Sequence, residues 1–402
     1  MKGVWVFATF AVVVLLALLA RESATHSIDF PVYHQAGRHL LAGEYQLYSP
    51  ETYAGHPGPS QEFRYLWAVA VLFVPFAVLP LPTAAVAFFL MKLVALWWVG
   101  AVVAGRAGAT GWGYRAFLLA FTVVGGYLVE ELRFGNAHFF CVTLMVIAWD
   151  RAERDEVWVA ALATAVAIAM KLTPIALLVY FAIRRRARLC VATVGCFALL
   201  VVLPAAVIGP AANARELRAF TTFALEKVGE HDNYSLRGML VRYLSTDAPD
   251  ETHIAADLAN LPTWMIDGLW LCGLLVLGIA ALAALWRDDP DPVTRLLELS
   301  IVLTGMLIAS PHTQRRYYVA LYVPAVALLA LLGRAQTPRE HRAILAGIAA
   351  MVVPGTILPL VFAGHRLALL YEASSPYCVG ALVLFGVLVS LTRSRKAPHR
   401  LS

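Results

Sequence analysis

"WVAALATAVAIAMKLTPIALLVYFAIRRR", from Trp158 to Arg186, decides the fold class. Two runs with no charged residue, Trp158–Met170 and Leu172–Ile183, are split at Lys171 and Pro174 and end in three arginines, with Arg188 close behind. In lipid every backbone polar group must be satisfied within the protein, so only helices and closed barrels can span, and runs this apolar exclude the barrel. Both are therefore helices, and the arginines at their end mark a cytoplasmic loop. Pro174 breaks the helical path and leaves Lys171 facing either the interface, by snorkelling, or a cavity.

The same pattern extends in both directions. The chain has 402 residues, 60% hydrophobic and 14% charged, against about 25% charged in soluble domains, so most of it sits in lipid. Its net charge of +6 falls in short inter-helix segments, which is the positive-inside pattern and needs no nucleic acid. Cys141, Cys190, Cys196, Cys272 and Cys378 lie in or beside apolar runs without CxxC spacing and read as small core hydrophobes. The run Val4–Ala20 follows Lys2 and shows no A-x-A cleavage site, so it is expected to be a first helix rather than a signal peptide.

Apolar segments fall at about 4–20, 83–104, 114–130, 137–149, 157–170, 172–183, 189–208, 264–286, 296–309, 317–333, 343–362 and 376–392. Twelve crossings that start inside put Arg106/Arg115, Arg151/Arg154, Arg184–Arg188, Arg287/Arg295, Arg334/Arg339/Arg342 and Arg393–Arg400 in the cytoplasm. The stretch Leu66–Leu79 is either a thirteenth crossing or a half-buried, re-entrant helix broken by Pro80 and Pro82. The expected architecture is an all-α polytopic domain over 1–392 with a basic cytoplasmic tail, 393–402. Two long loops, 21–64 and 209–263, then lie outside, and loops of that length are usually functional or disordered. Their interleaved Tyr, Leu, Trp and Phe argue against disorder, and no internal repeat is evident.

Polar residues that membrane burial makes costly converge on the outer side: Asp29, Arg64, Glu130–His138, Lys171, His231–Gly238 and Ser310–Tyr318. Asp29 either caps the helix that Pro31 opens or serves as a general base. Val32, Ala36 and Leu40 give that helix an apolar face suited to the membrane surface. Lys171 suits a phosphate, as do the adjacent Arg315 and Arg316, which run against the positive-inside trend on that side. Asn136 either caps the next helix or contacts a sugar, and Glu130, Glu131 and Arg133 are expected to pair among themselves. His312 reads as an acid, a hydrogen-bond donor or a cap. Asp232, Asn233 and Arg237 precede the helical "GMLVRYL" and are candidates for acceptor contact. The carboxylates Asp29, Glu44, Glu51 and Glu62 lack ligand-like spacing, so no metal is expected, and no P-loop, HExxH, GxSxG or GxGxxG motif occurs.

"DFPVYHQAGRHLLAGEYQLY", "GNAH", "AIAMKLTPIALLVYFAIRRR", "HDNYSLRGMLVR" and "SPHTQRRYYVALYVPAVALL", in that order, resemble glycosyltransferase family 87. That family belongs to the GT-C superfamily and uses polyprenyl-phosphate sugars; its members include mannosyl- and arabinofuranosyltransferases. The resemblance implies a GT-C fold with amphipathic helices in the first outer loop, Asp29 as the catalytic base and Lys171 as the helix-break lysine. The late S-P segment, often histidine-rich in the family, keeps only His312 here, with Arg315 and Arg316 just downstream. "QEFRYLW" around Arg64 also departs from the family's Y-P-P form. The implied reaction needs no cofactor: a polyprenyl-phosphate sugar enters from the bilayer, and Lys171, Arg64, Arg315 and Arg316 hold its phosphate. Tyr33, Asn136, His138, Asp232, Asn233, Arg237 and His312 contact sugar or acceptor, a lipid-linked or envelope glycan. Inverting displacement then occurs at the periplasmic face of the cell membrane. A transporter or flippase, or a membrane scaffold, would share the helices but would not need the carboxylate-led loop.

Overall fold

The computed structural model describes residues 2–48, 63–109, 113–225, 233–245, 258–361, 371 and 374–396. Within them every regular element is helical. Among the described residues seven helices are long and apolar enough to cross a membrane: Thr9–His26, Leu81–Arg106, Ala187–Ile208, Thr263–Leu285, Pro292–Ala309, Arg315–Leu332 and Pro376–Lys396. Exposed Trp264 and Trp286 bracket one of these, in keeping with the aromatic belts of membrane helices.

Length and composition of the described residues do not by themselves confirm the expected twelve crossings. Gly125–Phe134 turns by 115° into His138–Ala152, which makes eight if that bent pair is one span. The apolar runs at 157–170 and 172–183 become helices of 14 and 9 residues, Val157–Met170 and Ile175–Ile183. Apolarity sets where a helix can lie in lipid, but Gly, Pro and buried polar partners set where it stops. The stretch Leu66–Leu79, left open between a thirteenth crossing and a half-buried re-entrant helix, holds a 3₁₀ helix, Trp67–Phe73, continued by Val74–Ala77, which is shorter than a full span. Pro82 lies in the first turn of Leu81–Arg106, where a missing amide proton costs nothing.

The chain divides into two compact units, residues 1–96 with 129–227 and residues 97–128 with 228–402. In the first unit His138–Ala152 and Val157–Met170 form a hairpin, and the Cys141 thiol reaches the Ala167 carbonyl at 3.6 Å. Ile175–Ile183 returns beside it, so Arg186 donates to the Ala152 carbonyl and pairs with Glu153 at 3.1 Å. Arg151, Arg154 and Arg184–Arg186 thus share one end, and Lys171 lies at the other. The amphipathic helix Phe30–Leu41 buries Phe30, Val32, Tyr33, Ala36 and Gly37 in the protein. A Cβ on Gly37 would stand 2.9 Å from both the Ala77 Cβ and the Phe73 carbonyl oxygen. Its apolar face therefore packs on the 67–77 helix.

The second unit shows the same segregation. Arg334 donates to the Ala107 carbonyl at 2.6 Å and to that of Gly108, capping orphan carbonyls beyond the end of Leu81–Arg106. Lys396 does likewise for Ala284 and Arg287, both at 2.8 Å, and pairs with Glu298, while Arg395 pairs with Glu340. These ties gather the basic loops at one end. Ser310–Gln314, Asn233–Ser235 and Tyr377 lie at the other.

Candidate functional site

In the first unit the turn Phe134–Gly135–Asn136 is built around Asp29. The amides of Ile28 and Asp29 both donate to the Phe134 carbonyl, at 3.2 and 2.9 Å. Gly135 has φ +68°, and a Cβ there would come within 2.7 Å of the Phe30 Cβ, so conformation and proximity both require glycine. Asp29 occupies the cap position of Phe30–Leu41 but makes no capping bond. Instead its Oδ2 accepts from Asn136 Nδ2 at 2.8 Å, and the residue is 4% exposed. Asn136 bonds in two directions: its Oδ1 accepts from the His138 amide at 2.7 Å, as a helix-capping residue would, and its Nδ2 donates to this carboxylate. A hydrogen bond to a charged group contributes about 1.5–3 kcal/mol, enough to fix the rotamer of an acid.

Behind this turn lies a pair that the sequence reading missed. Lys92, 1% exposed in a spanning helix, donates to the carbonyls of Glu131 and Asn136, both at 2.8 Å. Its Nζ stands 3.7 Å from the Glu131 carboxylate, which in turn accepts from the Phe139 amide at 3.1 Å. The signal was present: one lysine in "AVAFFLMKLVALWWV", a charge at membrane depth. Glu131 pairs with Lys92 and Arg133 with Glu22, at 3.3 Å, which corrects the expectation that Glu131 and Arg133 pair with each other.

Lys171, half-buried, ends Val157–Met170 in extended conformation, and Pro174 precedes Ile175–Ile183, as the break predicted. The Leu66 amide donates to the Ala169 carbonyl at 2.9 Å, which brings the segment of exposed Arg64 to the Lys171 end. His138, buried, opens its helix at that same end of the hairpin. Asp29, Asn136, His138, Arg64 and Lys171 are thus gathered at one end of this unit. Tyr33 stacks on Phe73 and Tyr65 at 4.8 and 5.3 Å, and its hydroxyl shares a 2.8 Å hydrogen bond with that of Tyr65.

In the second unit Asn233 ties two loops together. Its Nδ2 donates to the Pro311 carbonyl at 2.8 Å, and its Oδ1 accepts from the amides of Ser235 and Thr313, both at 3.1 Å. Gly238 lets this happen, since a Cβ there would fall 2.2 Å from the Asn233 carbonyl oxygen. Arg237 pairs with Asp267 at 2.8 Å. Asp232 lies outside the described residues. Arg315 lies over the Tyr377 ring at 5.4 Å, and Tyr377 meets Tyr127, Tyr234, Tyr318 and Tyr371. Arg316 and His312 are half-buried beside it in sequence, with the His312 amide on Ser310 Oγ at 3.3 Å. Among the described residues no three His, Cys, Asp or Glu side chains converge as a metal site would need.

The family model described as Glycosyltransferase family 87 matches residues 63–311, a stretch that begins after Asp29 and ends before Arg315. Two curated relatives are polyprenol-phosphate-mannose-dependent α-(1-2)-phosphatidylinositol mannoside mannosyltransferases. That of Mycobacterium tuberculosis is 28% identical over 330 residues, 77% of this chain and 71% of the relative. That of Mycolicibacterium smegmatis is 27% identical over 357 residues, 83% and 77%. Among solved structures, ArnT from Cupriavidus metallidurans bound to undecaprenyl phosphate aligns over 98% of this chain and 78% of its own. Its TM-score is 0.45 and its identity 16%, too slight a likeness to bear on the chemistry.

Proposed function

Because this chain belongs to glycosyltransferase family 87, we propose that it transfers a sugar, mannose before arabinofuranose, from a polyprenyl-phosphate donor to a lipid-linked or envelope glycan. The protein is a multi-pass membrane glycosyltransferase. The donor assignment is supported by the two relatives, whose names give polyprenol-phosphate-mannose dependence. A transporter or flippase is not favoured, since the matched family is one of transferases.

The observation that carries the reading is Asp29, a buried carboxylate held by Asn136 at the Lys171 end of the first unit. Asp29 takes the proton from the acceptor hydroxyl as its oxygen attacks the anomeric carbon. The bond from that carbon to the phosphate breaks, polyprenyl phosphate leaves, and the anomeric configuration inverts. Negative charge grows on the phosphate as the bond breaks, which is where preorganised cations act most strongly. Lys171 and Arg64 are assigned to it in the first unit; Arg315 and Arg316 have the same chemistry in the second. His138, Tyr33, Arg237 and His312 are assigned to sugar or acceptor, and Asn136 and Asn233 to holding the segments that present them. The reaction belongs to the extracytoplasmic face, opposite the arginine-rich loops.

The test is transfer of labelled mannose from polyprenyl-phosphate mannose in membranes bearing Asp29→Asn. Loss of a general base lowers turnover by about 10²–10⁴-fold, while donor binding is retained. Wild-type turnover in this variant would overturn the assignment.

A further inference from the structure

A buried ion pair in a membrane helix is costly to assemble, because each ion loses its hydration at a penalty of several kcal/mol. Lys92 and Glu131, each 1% exposed, form such a pair beside the 115° bend between Gly125–Phe134 and His138–Ala152. Leucine at position 92 would pack such a helix without that penalty. The geometry indicates what the charge does instead. The ammonium clasps the bend from both sides, through the carbonyl of Glu131 before it and that of Asn136 within it, both at 2.8 Å. Glu131 completes the clasp by accepting from the Phe139 amide at the start of the following helix. A helix bent this sharply leaves carbonyls on one side and amides on the other without helical partners. Lys92 and Glu131 supply one of each.

We propose that Lys92, with Glu131, is a positioning residue for the transfer reaction: it fixes the backbone of Asn136 so that the Asn136 side-chain amide is aimed at the Asp29 carboxylate. The proposal rests on the reading of Asp29 as the base. It runs through three contacts, from the Lys92 ammonium to the Asn136 carbonyl, along one residue, and from Asn136 Nδ2 to Asp29 Oδ2. A single cation thus sets the direction of an acid it does not itself hydrogen-bond.

The test pairs Lys92→Met with Glu131→Gln, which removes both charges and keeps an acceptor for the Phe139 amide. The expected outcome is a folded protein with donor KM within about twofold of wild type and kcat lower on the order of 10²-fold, the scale of a misplaced catalytic group. In an Asn136→Ala background, where the link to Asp29 is already cut, the same pair should change kcat by no more than about twofold further. A merely structural role would give the full loss in both backgrounds. If the pair does not fold, Lys92→Arg carries the test: the charge stays, the donors move, and a kcat loss at unchanged KM is again expected. Wild-type kcat in the folded variant, or additive losses with Asn136→Ala, overturns the proposal. Asp29→Asn measured in parallel separates the two failures. If that variant turns over normally, the base assignment falls; if it is inactive while the Lys92 variants are unimpaired, only the positioning role falls.

Discussion

A buried ion pair stands at a different end in each of the two units. In the first, a buried ion pair, Lys92–Glu131, stands at the end where Asp29 is held. In the second, the buried pair Lys396–Glu298, 5% and 0% exposed, stands at the end of the basic loops. At its other end the second unit places Arg315 against the face of Tyr377, and Arg242, 2% exposed, against that of Tyr234 at 5.5 Å. An aromatic face attracts a cation without neutralising it. Full ion pairing fixes an acid and its neighbours in one geometry, whereas a tyrosine face orients a guanidinium without itself supplying a counter-charge. The contrast matches the roles proposed for the units, a directed base in one and anion-binding cations in the other.

Lys92→Met alone should break the first unit most severely. It leaves Glu131 buried without its cation, a loss of about 3–5 kcal/mol, read as a fall in the thermal midpoint in detergent that Glu131→Gln reverses. Gly238→Ala strikes the second unit, driving a methyl into the Asn233 carbonyl for about 1–3 kcal/mol. Its midpoint should fall less than that of Lys92→Met, and equal falls would erase the contrast. Arg315→Gln should raise the donor KM by roughly tenfold or more, as expected for a lost hydrogen bond to a charged group. Tyr377→Leu should move KM the same way by a few-fold, since an aromatic face contributes about 0.5–2 kcal/mol. An unchanged KM in both would remove the second unit's assigned part.

The smallest effect concerns Glu216, whose carboxylate accepts from the Leu47 amide at 3.2 Å and so ties down the first loop at that point. Burial holds this carboxyl above its ordinary 4.5, with the Leu47 amide and Arg215 acting the other way. The folded state therefore binds this proton more tightly than the unfolded chain does. Stability falls as pH rises from 4.5 through that raised value and recovers as pH is lowered again. Glu216→Gln should raise the midpoint slightly at pH 8 and leave it unchanged near pH 4. A gain confined to acid pH would contradict the sign.

Much of the end-to-end arrangement was legible because it depends on local composition. Arg184–Arg186 close one end of a hairpin and Lys171 with Pro174 opens the other, and one can read both from a single stretch. Asp29 was legible as an isolated carboxylate behind an apolar run, ahead of a proline-opened helix. Its holder was only half legible: Asn136 reads as a cap, and it does accept from His138, but its bond to Asp29 spans 107 positions. Asn233 likewise reads as a polar loop residue, while its actual partners lie 78 and 80 positions away. Where the apolar helices begin and end was illegible for a related reason. Hydropathy registers that 172–183 is apolar, not that its helix begins only at Ile175.

The sequence by itself determined that the chain is helical and membrane-embedded, which loops carry the positive charge, and which residue types stand against them. Lipid imposes those choices residue by residue, through desolvation and the demand for satisfied amides. Only the tertiary structure decided that Lys92 and Glu131 meet, that a glycine turn seats Asp29, and that tyrosines receive the arginines. Such contacts join positions far apart in the chain, and their energy depends on distance and direction, which a linear pattern does not contain.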